Sequence, residues 1–212
     1  MLDKIDIAEL DPARTVVVAT GNAHKITEIE AILSLALPGT RFVALGQLGE
    51  FPDPEETGTT FVENALIKAR AAVAETGLAA VADDSGLVVD ALGGEPGVYS
   101  ARYAGLHGDD AANNAKLLAN MAEVPDVERT ARFMSVVALV RADGSVLTGT
   151  GTCEGAVGRA GHGEHGFGYD PLFLPADTPG KTMAELAPEE KNAISHRYHA
   201  LMDLASQLGG AA

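Results

Sequence analysis

"VVVATGNAHKITEIEAIL", Val16–Leu33, sets a buried strand against a helix with three residues of turn between them. Val16 to Ala19 is a largely β-branched apolar run, the composition of a buried strand. Ile26, Ile29, Leu33 and Leu37 follow at the spacing of one apolar helix face. Thr20-Gly21-Asn22 forms the turn, and Asn22 is a good N-cap. His24 and Lys25 then fall in the first helical turn. That end carries about +0.5 of a charge and ordinarily favours Asp or Glu. A lysine there is mildly unfavourable unless something anionic meets it. On this ground alone, removing Lys25 should leave stability unchanged or slightly raised.

The same alternation continues outward. Arg41 to Leu45 reads as a second strand, and "GEFPDPEETGTT" as a turn-rich connection. Thr60-Phe61-Val62-Glu63 then fits a capping box. Val62, Ala65, Leu66, Ala69 and Val73 make the buried stripe of the helix it opens, with Asn64 and Lys68 on the other side. "LAAVADDSGLVVDAL" reads as a strand, a break at the aspartates, and more extended chain. A helix spans roughly Asp109 to Met121. Two long strands follow, joined at Ala142-Asp143-Gly144. A glycine-rich loop leads to the apolar "LFLP", and a last helix carries Ile194, Tyr198, Leu201, Ala205 and Leu208 on one face. "QLGGAA" reads as a frayed tail. Helices alternating with strands, plus a long hairpin, predict an α/β fold with a mixed sheet.

The chain's 212 residues suit one large domain or two small lobes around a shared core. A net charge of −15 argues against nucleic-acid polymers, which need a basic stripe. It leaves room for a small phosphorylated ligand, because a few lysines can create a local positive field. Cys153 is the one cysteine, so neither an intrachain disulfide nor a cysteine zinc site is expected. The N-terminus is acidic and unlike a signal peptide, and no apolar run approaches the ~20 residues that span a bilayer. A cytoplasmic protein is expected, without membrane contact.

Several segments carry reactive side chains. "VADDSG" places Asp83 and Asp84 at the end of an apolar strand, where successive residues point to opposite faces and so do different jobs. An ordinary strand-ending turn reads equally from that pattern. Glu55 and Glu56 precede the capped helix, where charges are commonly just solvated. Yet Glu56 with one of the aspartates makes a hard-oxygen pair suited to Mg²⁺, which takes one or two carboxylates plus substrate phosphates. Lys68 and Lys191 read by default as surface lysines. Lys25 after a glycine-containing turn follows the logic of a phosphate cradle, although "TGNAHK" lacks P-loop spacing. Ser195 can cap a last helical segment, which again puts cations, His196 and Arg197, in a first turn. His162 and His165, like His196 and His199, lack the flanking signature of a zinc motif. Phe167 and Tyr169, set between glycines, are either a stacking platform for a flat ring or inward-packed turn aromatics.

Taken together, "ATGNAHK", "EETGTTFVENALIKA", "ADDSGLVVDALGGEPGVYSARYAG", "ARF", "GFGYDPLF", "GKTMAEL" and "EEKNAISHR" closely resemble the inosine triphosphate pyrophosphatases, also called dITP/XTP pyrophosphatases. The segments run in family order from residue 16 to the last helix. Residues 1–15 look like an N-terminal extension, and His24 stands where bacterial members often have glycine. The resemblance implies one two-lobed α/β domain over 1–212, with a twisted mixed sheet, flanking helices and an active-site cleft between the lobes. It implies a homodimer that uses Mg²⁺ to hydrolyse ITP, dITP and XTP to the monophosphate and pyrophosphate.

Residue by residue, it assigns the triphosphate to Lys25 and the Thr20, Gly21, Asn22, Ala23 and His24 backbone, with Lys68 as a second phosphate ligand. It assigns Mg²⁺ to Glu56 and Asp84, with Glu55 a substitute and Asp83 supporting. It makes Asp84 the general base and Ser85 a substrate contact. The base would stack on Phe167, with Gly168, Tyr169, Asp170, Lys191, His196 and Arg197 around its edge. Cationic donors there favour a 6-oxo purine over adenine, whose 6-amino group donates. A pyrophosphatase for modified pyrimidine nucleotides and a non-catalytic nucleotide-binding module are the alternatives. The second would be expected to lack the carboxylates that are present here.

Overall fold

The structure, a computed structural model, describes residues 4–20 and 23–209, with residues 23 and 24 described by backbone alone. Six strands form one sheet in the order β2-β1-β3-β4-β5-β6: β1 (Thr15–Val18), β2 (Arg41–Ala44), β3 (Ala79–Val89), β4 (Thr130–Val140), β5 (Val146–Val157) and β6 (Phe173–Pro175). β1 is parallel to both β2 and β3, whereas β5 and β6 are antiparallel, so the sheet is mixed as the sequence predicts. The helices are α1 (Ala23–Ala36), α2 (Leu45–Leu48), α3 (Phe61–Thr76), α4 (Asp110–Asn120), α5 (Pro188–Ile194) and α6 (His196–Gly209). The Gly21-Asn22 turn and the Asn22 cap lie outside the described residues.

The chain divides into two compact units. The first comprises Met1–Asp84, Val136–Gly151 and Tyr198–Ala212, and the second Ser85–Ser135 and Thr152–Arg197. In the first unit the period-two alternation of β1 sorts its neighbours. Val16 and Val18 pack with Ile29 and Leu33 of α1 and Leu201 and Leu204 of α6. Val17 faces the other way, onto Ala72 of α3, Leu10 and the half-buried Ile5 and Ile7. The segment ahead of β1 thus covers one face of this unit. In the second unit Leu87, Leu117, Met121, Phe133 and Phe173 centre the core.

Four elements differ from the pattern reading. Ile194, expected on one face of the last helix, ends α5 and packs in the second unit's core, because the chain is extended at Ser195 before α6 begins. β3 runs unbroken through Asp83 and Asp84, because ion pairs described below satisfy carboxylates that patterning treats as turn formers. On α3 the buried stripe includes Phe61, Asn64, Ala65, Ala69 and Ala72, while Val62 is exposed. Asn64, expected on the outer side, is fully buried because its Oδ1 accepts a 2.9 Å hydrogen bond from Gly58 N. Lastly, α6 stays helical to Gly209, and the Gln207 amide donates to Thr148 O at 2.9 Å, so Gln207 and Leu208 are not frayed.

Candidate active site

In the first unit, Asp83 and Asp84 lie on opposite faces of β3, as strand geometry requires. Asp83 shares its face with Val81, the face covered by α1, and its carboxylate meets Lys25 Nζ at 2.8 Å. The cation in the first turn of α1 is therefore already answered by an anion of the chain itself. Asp84 turns toward α3, where Lys68 Nζ lies 3.2 Å from its Oδ1 and 3.0 Å from Glu56 Oε1. Glu56 is half-buried in this cluster and Glu55 is exposed, which separates the two.

The segment from Glu56 to Lys68 explains why this cluster forms. Thr60 caps α3, its hydroxyl accepting from Glu63 N at 3.2 Å, while Glu63 Oε2 accepts from Thr60 N at 3.0 Å. That capping box fixes where α3 begins, so Asn64 and Lys68, one turn apart, share a side. Gly58 is needed for close approach, since a Cβ there would lie 2.5 Å from Asn64 Oδ1 and 2.6 Å from Glu63 Cβ. The loop is thereby pinned with Glu56 beside Lys68.

Asp84 Oδ2 is buried and makes no hydrogen bond of proper geometry; neither does Asn64 Nδ2, though that amide is near enough to favour the charged carboxylate. Burial pushes the Asp84 carboxyl above the ordinary aspartate value; Lys68 opposes this and Glu56 adds to it. Burial pulls Lys68 down, but Asp84, Glu56 and Asp83 outweigh it and hold the ammonium above its usual range. An acid raised in pKa beside a clamped lysine is the kind of perturbed pair that marks functional sites. Among the described residues no three His, Cys, Asp or Glu side chains converge as a ready-made metal cage. Glu56 and Asp84 do supply two hard oxygens, and Asp84 Oδ2 is a buried acceptor awaiting a donor or cation. That donor set fits Mg²⁺, which relies on few protein ligands.

Thr20 is half-buried just past β1, its N donating to Val18 O at 3.0 Å. The α1 backbone starts at Ala23, so the amides of Ala23, His24 and Lys25 are at the helix's unsatisfied end. Gly21 and Asn22 lie outside the described residues.

In the second unit, Gly166 (φ +81°) and Gly168 (φ +61°) bend a loop that leaves the Phe167 ring 60% exposed. A Cβ on Gly166 would meet Asp170 Oδ2 at 2.1 Å, so the turn also needs glycine for space. Asp170 ties the loop together. Its Oδ2 accepts from Phe167 N at 2.8 Å and from Lys191 Nζ at 2.5 Å, and that ammonium lies 4.8 Å from the Phe167 ring centre. An exposed aromatic ring with a cation over it suits an electron-rich planar ring. Tyr169 is not part of such a platform. It is buried, and its hydroxyl donates to Ser100 O at 2.9 Å. Gly168 has its N–H on Asp110 Oδ2 at 2.7 Å and its carbonyl on Asn114 Nδ2 at 2.8 Å.

His196 and Arg197 open α6, as their position after Ser195 predicts. The His196 ring stacks on Phe133 with centres 5.0 Å apart, and Arg197 is 9% exposed. Ser85 is half-buried on β3. Next to it, Gly86 admits the close approach of Gly97 O and Ser100 Oγ, each 2.4 Å from where a Cβ would stand.

Sequence reasoning passed over Asn64, Asp110 and Asn114. Apolar patterning places an asparagine or aspartate on the outside of a helix, and only the partner loops reveal what each one holds. The one available signal was that Asn64 and Lys68 are four apart.

A model of the Ham1 family matches residues 16–207. The chain is 51% identical over 192 residues to a dITP/XTP pyrophosphatase of Mycolicibacterium paratuberculosis, covering 90% of this chain and 94% of that one. It is 53% identical over 197 residues to a dITP/XTP pyrophosphatase of Pseudomonas aeruginosa, covering 91% and 96%. The solved Ham1 protein of Staphylococcus aureus superposes with a TM-score of 0.85 at 40% identity, over 93% of this chain and 100% of that one. Clusters built around the same motif segments, on a matching fold, place this chain by sequence and structure alike: it belongs to the Ham1 family.

Proposed function

We propose that this protein hydrolyses noncanonical purine nucleoside triphosphates, ITP, dITP and XTP, to the monophosphate and pyrophosphate. The observation that carries the reading is Asp84, a buried carboxylate joined to Glu56 through Lys68, in a chain about half identical to dITP/XTP pyrophosphatases. Glu56 and Asp84 would hold Mg²⁺, which when bound would offset charge on the triphosphate. Lys68 and Lys25 add positive charge where the leaving pyrophosphate gathers negative charge, the main demand of phosphoryl-type transfer. The backbone from Thr20 to Lys25 receives phosphate oxygens at the start of α1. Asp84 takes the proton from the attacking water.

The second unit reads the base. Phe167 offers a flat face, and Lys191, His196 and Arg197 offer donors to a 6-oxo edge. Adenine's amino group would face those donors unpaired, a mismatch that can cost several kcal/mol in a dry site. Asp170 holds Lys191 in place, Ser85 contacts substrate, and Asp83 supports the site by fixing Lys25. By the same resemblance the protein acts as a homodimer in the cytoplasm; among the described residues no helix is long and apolar enough to cross a membrane.

A substrate panel tests the proposal. With Mg²⁺, ITP, dITP and XTP are expected to react far faster than ATP, GTP, CTP or dUTP, each turnover giving one monophosphate and one pyrophosphate. Chelation should abolish the reaction. Orthophosphate as first product with IDP accumulating, or a preference for a pyrimidine nucleotide, contradicts the assignment.

A further inference from the structure

The Phe167 ring is exposed on a loop that positive φ at Gly166 and Gly168 bends outward, and that shape is also held from outside the loop. Two side chains of α4 do this. Asp110 Oδ2 accepts from Gly168 N at 2.7 Å, and Asn114 Nδ2 donates to Gly168 O at 2.8 Å. They stand one turn apart on a single helix face and grip the residue after Phe167 by both of its backbone groups. The Asn114 amide has only one useful orientation. Its Oδ1 is buried without a hydrogen bond, and a flip would set that oxygen against the Gly168 carbonyl.

The helix that supplies the grip is itself anchored. Asp109 caps it through a 3.0 Å bond from Ala112 N, and Leu117 is fully buried. Asn113, also buried, accepts from Ala104 N at 2.7 Å and donates to Ala101 O at 3.3 Å. On the inner side the loop is tied to Asp170. The peptides flanking Gly168 are therefore held from two directions, and the ring they carry meets a ligand already oriented. Orienting a side chain before binding saves the entropy otherwise lost on binding.

We infer that Asp110 and Asn114 are positioning residues for recognition of the purine base, acting through Gly168 on the Phe167 face. This rests on the reading of Phe167 as the stacking platform. It also means that Gly168 serves the platform with backbone groups already engaged.

Steady-state kinetics on ITP with Mg²⁺ test the inference in Asp110→Ala, Asp110→Asn, Asn114→Ala, Phe167→Ala and the Asn114→Ala/Phe167→Ala double variant. Asp110→Ala and Asn114→Ala should raise KM by roughly three- to tenfold with kcat changed less, the loss of one hydrogen bond's worth of order. Asp110→Asn keeps an acceptor for Gly168 N and should restore KM, although it loses the same first-turn charge as Asp110→Ala. In the Phe167→Ala background, Asn114→Ala should cost nothing more. Asp110 is exposed, so its two variants keep the test decisive even if Asn114→Ala folds poorly. Equal KM values in Asp110→Ala and Asp110→Asn, or independent additive effects of Asn114→Ala and Phe167→Ala, would overturn the clamp while stacking stands. Phe167→Ala with unchanged KM removes stacking and clamp together.

Discussion

Asp84→Asn is expected to lower kcat on ITP by at least ~10², as loss of a general base does, while the folded protein becomes no less stable. The second half follows from the raised pKa. A carboxyl whose folded-state pKa exceeds its unfolded value is favoured when protonated. Its contribution to stability is therefore present below the unfolded pKa and is lost as pH rises through the folded value. At neutral pH the ionised Asp84 works against folding, because its burial is offset only in part by Lys68. Asparagine keeps the shape without the charge. Thermal melting at neutral pH should show an unchanged or higher Tm, the trade of stability for activity common at functional sites. A well-folded Asp84→Asn with near-normal turnover excludes this role.

Lys25→Ala is expected to destabilise the protein and to weaken triphosphate binding. A cation in a helix's first turn costs about 0.3–1 kcal/mol, and if that were the whole account its removal would be neutral or helpful. The structure reverses the sign. Asp83 is 3% exposed, and taking away Lys25 removes the cation 2.8 Å from its buried carboxylate. Breaking a buried pair by deleting one partner costs about 3–5 kcal/mol. Lys25 itself is one-fifth exposed, so water reaches part of the gap and roughly 2–4 kcal/mol is expected. Asp83→Asn added to Lys25→Ala should recover most of that loss in a melting experiment, but not the KM for ITP. A single variant as stable as wild type would mean that the pair does not hold α1 to β3. Unchanged KM would separate Lys25 from the phosphates.

Much of the fold was legible in Val16–Leu33 and the strand and helix segments after it, because strand and helix periods there run clear. The places where pattern and structure part are places where polar groups are buried in pairs. Asp83 and Asp84 read as a break in a strand only while Lys25 and Lys68 are out of view, since a lone carboxylate does not stay in a sheet interior. Asn64 reads as an outward residue until Gly58 arrives to take its oxygen. The cluster's composition was visible in the motif segments, and Glu56 and Glu55 were distinguishable only by the loop that turns one toward Lys68. On the base side, Phe167 and Tyr169 have equal aromatic character in sequence. Positive φ at Gly166 and Gly168 sends one out and the other to Ser100. Asp110 and Asn114 gave no local sign, because their partner is a backbone fifty-odd residues away.

In the proposed reaction, water activated at Asp84 attacks the α-phosphorus. Hydrolysis of ITP in water labelled with heavy oxygen, followed by mass spectrometry of both products after a single turnover, tests it directly. One labelled oxygen is expected in the IMP phosphate and none in the pyrophosphate. Label in the pyrophosphate, with unlabelled IMP, would place the attack on the β-phosphorus and rule out this chemistry.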